Sequence, residues 1–456
     1  MEQPSAIELV ARWASRLTLA AVPEAVRHVA RACLIDTVGV ALAGTRTHVA
    51  RIAREYACAT SAEGTASVFG CAQRLAAPGA AFANAVAAHA LDFDDNCDAG
   101  IVHGSAIVIP ATLALAEVTG ASGSDCVTAI IAGLEGEYAV GAAATRSLYD
   151  RGWWTTALLG PIGACVAASR LLALDPQATA AALGIAVCGA GGTKPVFGTD
   201  GKPLLAGRAA EAGVVAACLA ARGASGPRDA LDADRGLAHL MNGGPFDMSA
   251  FDSLGSHWRL LSPGIDVKRI PLCLSSHAAV DATRELAAGH ALAPSRIRRI
   301  VCDVPPIVAA NLKHRHPRSA QQAQFSMPFA VAAALLFGDV GLAQLDPAII
   351  GDATLQRLMA RVEMVTGPRW DDAARSAAPE GAFVRIEFDD GGAIETFCAR
   401  ARGSAARPLG DAEIDDKFLM CADYARTAIE PQALLQRLHR VEDLRRAADL
   451  LGTRAA

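Results

Sequence analysis

Aromatic residues make up only 5% of this 456-residue chain, and several familiar signatures are missing from it altogether. The twelve cysteines are scattered singly, with no CxxC pair and no Cys/His grouping at zinc spacing. That excludes a zinc module and makes buried, reduced thiols the expectation. Cys97 is the one thiol in a strongly polar loop, where a nucleophile would be placed. No basic stripe with interleaved aromatics accompanies the formal net charge of −5, which argues against a nucleic-acid partner. No run reaches the roughly 18 uninterrupted apolar residues of a membrane span. The longest, 157–168, stops at Ser169 and Arg170. The opening MEQPSAIELV lacks the basic-then-apolar pattern of an export signal. These absences predict a cytoplasmic protein without membrane or nucleic-acid partners. The Gly-rich segment 189–203 matches neither GxGxxG nor GxxxxGK[ST] and follows no strand, so dinucleotide and P-loop readings fail.

What is present is apolar and small. Hydrophobic residues make up 52% and charged residues 20%, and the length suggests two domains. From residue 6 to 264 the periodicity is helical almost throughout, with helices expected at 26–42, 76–89, 126–145, 157–172, 175–188 and 206–221. Beyond Lys268 the pattern changes. Segments 297–304, 383–388 and 393–399 read as strands, the last two flanking an Asp389-Asp-Gly-Gly392 hairpin signal, with helices at 278–286 and 327–337. Segments 411–428 and 431–451 return to amphipathic helix. The prediction is a mainly α fold: a large all-helical domain from 1–264 and 403–456, with a smaller α+β domain inserted over 265–402.

The chain is organised around 88–117, where Asp92, Asp94, Asp95 and Asp98 fall within seven positions and His103 follows in HGS. Helix capping explains about two of four such carboxylates, with Ser105 the expected cap of the next helix. The others predict a site where carboxylate and imidazole meet. Lys194 and Lys202 lie in the Gly-rich loop, and Lys194 reads as a solvated loop lysine.

Several stretches together resemble the MmgE/PrpD family, which includes 2-methylcitrate dehydratases, cis-aconitate decarboxylases and iminodisuccinate epimerase. They are LIDTVGVALAG at 34–44, HALDFDD at 89–95, HGSAIVIPATLALAE at 103–117, the block 198–227 beginning GTDGKPLLAGR, VKRIPLCLSSHAAVDA at 267–282, and ARGSAARPLGDAEIDDKF at 401–418. The resemblance implies an all-helical domain with an α+β lid, a homodimer, and no metal or organic cofactor. It implies site roles for Asp92, for His103 (the histidine of an HPS motif), for Lys202, and for Lys268 and His277 from the lid. Two positions depart from the pattern. A GWH motif reads Gly152-Trp153-Trp154, and the tyrosine of an SxxY segment falls on Phe329. Tyr149 aligns with an acid/base candidate of the epimerase branch.

Proton abstraction α to a carboxylate needs a base and a means of stabilising the enediolate. Burial and mutual repulsion would lower the Lys202 and Lys268 pKa values toward neutrality, and both could clamp a polyanion. His103, oriented by Asp92, could pass a proton. The expected function is a cofactor-independent lyase on a small di- or tricarboxylate, of dehydratase or decarboxylase type. The alternatives are an epimerase or racemase of an amino- or imino-dicarboxylate using Tyr149 and Lys202, or a carboxylate binder without turnover. With Trp154 and Phe329 in place of imidazole and phenol, the expectation is poor turnover of cis-aconitate and 2-methylcitrate.

Overall fold

The structure, a computed structural model, describes residues 3–290, 292–426 and 429–451. The fold is mainly α. Its body is built on the helices Glu24–Gly44, Ala77–His89, Ser105–Thr119, Gly123–Ala144, Thr155–Leu171 and Gly201–Ala220. Most are apolar on nearly every side and pack into one continuous core, the only stable place for such helices in water. Glycine allows their close approach: a Cβ on Gly160 would lie 2.3 Å from Ile107. The ends follow the expected chemistry. Ser122 and Asp125 form a capping box at the 123–144 helix, and Asp175 caps Pro176–Cys188.

Four strands form one sheet in the order Val362–Val365, Ile297–Asp303, Ala382–Phe388, Ala393–Cys398, with only the first pair parallel. The helices His277–Gly289 and Met327–Phe337 pack against it. Their core also takes in Val40, Ala43, Leu91, Phe93 and Cys421 of the helical body, so the two parts share apolar contacts beneath the acidic loop.

Four expectations are corrected. The 123–144 and 201–220 helices do have the length and apolarity of membrane spans, because alanine and glycine keep them apolar despite interspersed polar residues. In the first, 94% of the most apolar stretch is buried inside the protein, as in a core helix. Two short ribbons interrupt the helical body, Glu63–Ser67 with Arg74–Leu75 and Asn96–Cys97 with Ile265–Asp266. The helix expected from 206 begins at Gly201, which puts Lys202 in its first turn. The helix expected over 431–451 ends at His439. Beyond it, the Leu444 carbonyl accepts from Gly123 N–H (2.9 Å), and Ala447 N–H donates to the Ala121 carbonyl (2.7 Å), so tertiary bonds replace helical ones. Helix Asp411–Ala425 is described, whereas the end of the expected 411–428 helix, 427–428, lies outside the described residues.

Candidate active site

The acidic loop leaves the 77–89 helix at His89. Asp92 adopts a left-handed backbone, φ 48°, which non-glycine residues seldom do. The chain then reverses through a tight hairpin in which Cys97 and Val102 exchange both backbone hydrogen bonds, at 2.9 and 3.0 Å. The start of the 155–171 helix holds the return: His103 N–H donates to Thr156 Oγ1 (3.1 Å) and the Thr155 hydroxyl to the Ile101 carbonyl (2.6 Å). A Cβ at Gly104 would lie 2.7 Å from the Tyr138 hydroxyl, which accounts for HGS in place of HPS.

Capping plays less part here than expected. Ser105 is the first residue of its helix and lies beside Asp95 instead of capping. Asp92, Asp94 and Asp95 are all buried, and only Asp98 is exposed, paired with Arg146 at 3.1 Å. Buried carboxylates require compensating charge or hydrogen bonds; Asp92 takes them from the distant Lys202 and Lys268, and Asp94 from the nearby His89 and His103.

Lys202 Nζ donates to Asp92 Oδ1 (2.6 Å) and to His89 Nε2 (2.8 Å). Lys268, brought in by the ribbon that pairs Asn96–Cys97 with Ile265–Asp266, donates to the Asp92 carbonyl (2.7 Å) and lies 3.1 Å from Asp92 Oδ1. Asp94 Oδ2 bridges two imidazoles, 2.8 Å from His89 Nδ1 and 3.2 Å from His103 Nδ1, and the latter is also 2.9 Å from the Asp95 carbonyl. Carboxylate and carbonyl oxygens accept only, so both Nδ1 atoms carry hydrogen and both Nε2 atoms are lone pairs. That of His89 accepts from Lys202. That of His103 is left to the cavity, 4.0 Å from Asp92 Oδ1.

The electrostatics follow from these contacts. Burial would raise Asp92, but Lys202 and Lys268 outweigh it and hold the carboxyl well below the usual range. His89 and His103 do the same for Asp94. Burial, only partly opposed by Asp94, lowers His89 to about 4 and also lowers His103. For Lys268 burial is outweighed by Asp92 and Asp94, and the pKa rises. The expectation of a near-neutral Lys268 base is therefore wrong: its carboxylate partners keep it an ammonium. The centre therefore presents the Lys268 ammonium and the neutral lone pair of His103.

Asp92, His103, Lys202, Lys268, Tyr149 and Trp154 line one cavity of about 360 Å³. Trp154, Phe197 and Phe325 surround the Lys202 ammonium at 5.4, 5.5 and 5.4 Å from their ring centroids, so three of the scarce aromatics gather here. Tyr149 O–H donates to Asn311 Oδ1 (2.7 Å), Asn311 Nδ2 to Ser275 Oγ (3.0 Å), and the Ser275 hydroxyl to Glu380 Oε1 (2.6 Å). Burial pushes Glu380 up to about 7, and burial with the Cys273 and Glu380 charges raises the Tyr149 phenol.

Two candidates lie elsewhere. His277 is buried outside the cavity, with Nε2 3.1 Å from the Leu272 carbonyl, and burial and Lys268 hold it neutral with a pKa of about 3. Phe329 is fully buried in the core beneath the sheet, so its missing hydroxyl removes nothing from the cavity. Cys97 is also buried off the cavity, its thiol raised by burial, whereas Cys273 lines it and is pushed up to about 12. Lys194 is half-buried, 3.2 Å from the Tyr149 ring centroid, with burial lowering it to about 8. The residues that sequence reasoning missed are His89, Asn311, Ser275 and Glu380, and Asp94 was counted among the loop carboxylates without a role of its own. For His89 and Asp94 the signal was present, since both stand in HALDFDD.

Spacing along the chain also missed a ligand-type grouping: His89, Asp92, Asp94 and His103 each place one donor atom within 4.8 Å of the others. Lys202 already bridges two of these donors, and Asp94 is engaged by two imidazole N–H groups. A divalent cation would have to displace an ammonium, so the donor set does not fit a resident metal.

Residues 8–249 match the family model described as MmgE/PrpD N-terminal domain, and residues 270–442 match the MmgE/PrpD C-terminal domain. The chain is similar to a cis-aconitate decarboxylase of Homo sapiens, 30% identical over 425 residues covering 90% of this chain and 86% of the human protein. It is 28% identical to that of Mus musculus over 429 residues, covering 90% and 85% of the two chains. With the cis-aconitate decarboxylase-like protein oryM of Aspergillus oryzae it shares 27% over 467 residues, 96% and 94% of the two chains.

Proposed function

The chain belongs to the MmgE/PrpD family, and from that premise and the site geometry we infer a cofactor-independent lyase acting on a small tricarboxylate of the cis-aconitate kind. The observation that carries this reading is the pair Lys202 and Lys268 on the single carboxylate of Asp92, in the wall of a cavity that His103 Nε2 faces. Each ammonium has three N–H donors and spends two of them within the protein, which leaves one on each, held without reorganisation, for a substrate carboxylate. When a carbon–carboxylate bond breaks, CO2 leaves and its electron pair passes into the enolate of a neighbouring carboxylate. The ammoniums stabilise that charge. A proton delivered to carbon completes the product; His103 Nε2, a lone pair at rest, takes that proton from solvent in the cavity and passes it to carbon. In a dehydration the same nitrogen would take the α-proton, and hydroxide would depart with a proton from the donors.

The expected rejection of cis-aconitate rested on two missing donors. Phe329 lies outside the cavity, which leaves Trp154 as the one substitution facing a substrate. Against the epimerase reading, the Tyr149 proton is engaged by Asn311 and its phenol is harder to ionise than usual. Incubation with cis-aconitate tests the proposal. Released CO2 supports it, deuterium exchange without CO2 or water loss favours the epimerase, and binding alone favours a protein without turnover.

A further inference from the structure

Two sequence blocks have no place at the cavity, LIDTVG at 34–39 and DDKF at 415–418. They meet beneath the acidic loop. Lys417 Nζ lies 2.6 Å from Asp36 Oδ1, and both side chains are buried. The same ammonium donates to the Phe93 carbonyl (2.8 Å) and sits 4.0 Å from the Phe93 ring centroid. Gly39 makes the approach possible, since a Cβ there would lie 3.0 Å from Phe418. The preceding carbonyl, that of Asp92, accepts from Lys268. Two buried ammoniums from distant parts of the chain therefore hold two consecutive carbonyls. Between those carbonyls runs the Asp92–Phe93 peptide and the Phe93 Cα, immediately after the left-handed Asp92.

A left-handed aspartate persists only where its surroundings over-determine it. The Asp92 N–H donates to the His89 carbonyl (3.1 Å), and Lys268 holds the carbonyl of the same residue whose carboxylate it pairs. Lys417 supplies a further restraint, on the next carbonyl and from outside the cavity. We propose that Lys417, neutralised by Asp36, is a positioning residue that locks the Asp92–Phe93 backbone so that one carboxylate oxygen meets Lys202 and Lys268 together. The inference rests on the reading of the Asp92 centre as the active site. With the Phe93 carbonyl released, Asp92 is free to relax toward ordinary φ, and its carboxylate swings away from the two ammoniums. A displacement of about 1 Å in such a centre lowers turnover on the order of 10²-fold.

Lys417→Met alone strands the buried Asp36 charge at a cost to folding, so the test pairs it with Asp36→Asn/Lys417→Met and with Lys417→Arg. The double variant, folded by circular dichroism, is expected to turn over cis-aconitate on the order of 10²-fold more slowly, with KM little changed. Lys417→Arg should recover most of that loss. Nitrogen-15 spectra should show the His89 and His103 rings shifted and that of remote His290 unmoved. A folded double variant with unchanged kcat and unshifted His89 and His103 overturns the proposal. So does a set of variants none of which folds, because the pair is then an element of stability. If the unmodified protein leaves cis-aconitate untouched, the functional reading fails and the imidazole shifts alone decide the positioning role.

Discussion

The indole of Trp154 lies stacked on the imidazole of His89, with ring centroids 5.4 Å apart and planes inclined by 29°. His89 in turn accepts from Lys202, so the tryptophan lies against the ring that orients a cavity ammonium. It contributes to the burial that holds His89 neutral.

Trp154→Ala should therefore do two things. Losing a fully buried tryptophan costs roughly 3–5 kcal/mol of stability, read by chemical denaturation. With one face opened to water, the His89 pKa should rise from about 4 toward its ordinary value. An NMR titration that still gives about 4 would separate the imidazole from its aromatic cover.

Removing the shared anion should be more damaging than removing either cation. Asp92→Asn leaves Lys202 and Lys268 facing each other in a buried site, with stability falling by roughly 3–5 kcal/mol. Lys202→Met keeps an apolar stem among the three rings and should lose less stability than Asp92→Asn. Thermal melts of the two variants side by side decide the order.

Glu380 makes stability depend on pH in a defined direction. Its folded pKa, about 7, lies above its ordinary value, so its contribution is complete at low pH and is lost as pH rises through 7. Glu380→Gln should melt higher than the unmodified protein at pH 8, with the gap gone or reversed below pH 5. An ionised Glu380 also opposes a polyanion in the cavity, so KM should climb through the same window and flatten in the variant. A pH-independent difference between the two proteins would assign that titration elsewhere.

Exhaustive chelation should leave activity intact, since within the His89, Asp92, Asp94 and His103 grouping Lys202 already bridges His89 and Asp92 and two imidazoles engage Asp94. Elemental analysis before and after is the check. A stoichiometric metal required for turnover would contradict the charge assignment of the centre.

Much of this was legible in the sequence, for identifiable reasons. Helices such as 123–144 announce themselves through periodicity and capping, and the 382–388 and 393–398 strands through the turn between them. Asp92, His103, Lys202 and Lys268 stood in quotable motifs. The failures were of direction and depth. Periodicity cannot tell whether Phe329 faces a cavity or a core, and linear spacing hides a grouping made by His89 and Asp94 across a helix end. The Lys268 shift was misjudged because burial was legible and its partner, Asp92, 176 positions away, was not. The break after His439 depends on carbonyls taken up by the 121–124 segment, which no local pattern records.

The most direct test is cis-aconitate incubated in D2O with the unmodified protein, Lys202→Met and His103→Gln, followed by NMR and by CO2 release. The account predicts one CO2 per product molecule, one solvent deuteron on a carbon of the product, and loss of both signals in each variant while the fold is kept. Deuterium exchange without CO2, or undiminished turnover in Lys202→Met, would contradict a lyase centre built on Lys202, Asp92 and His103.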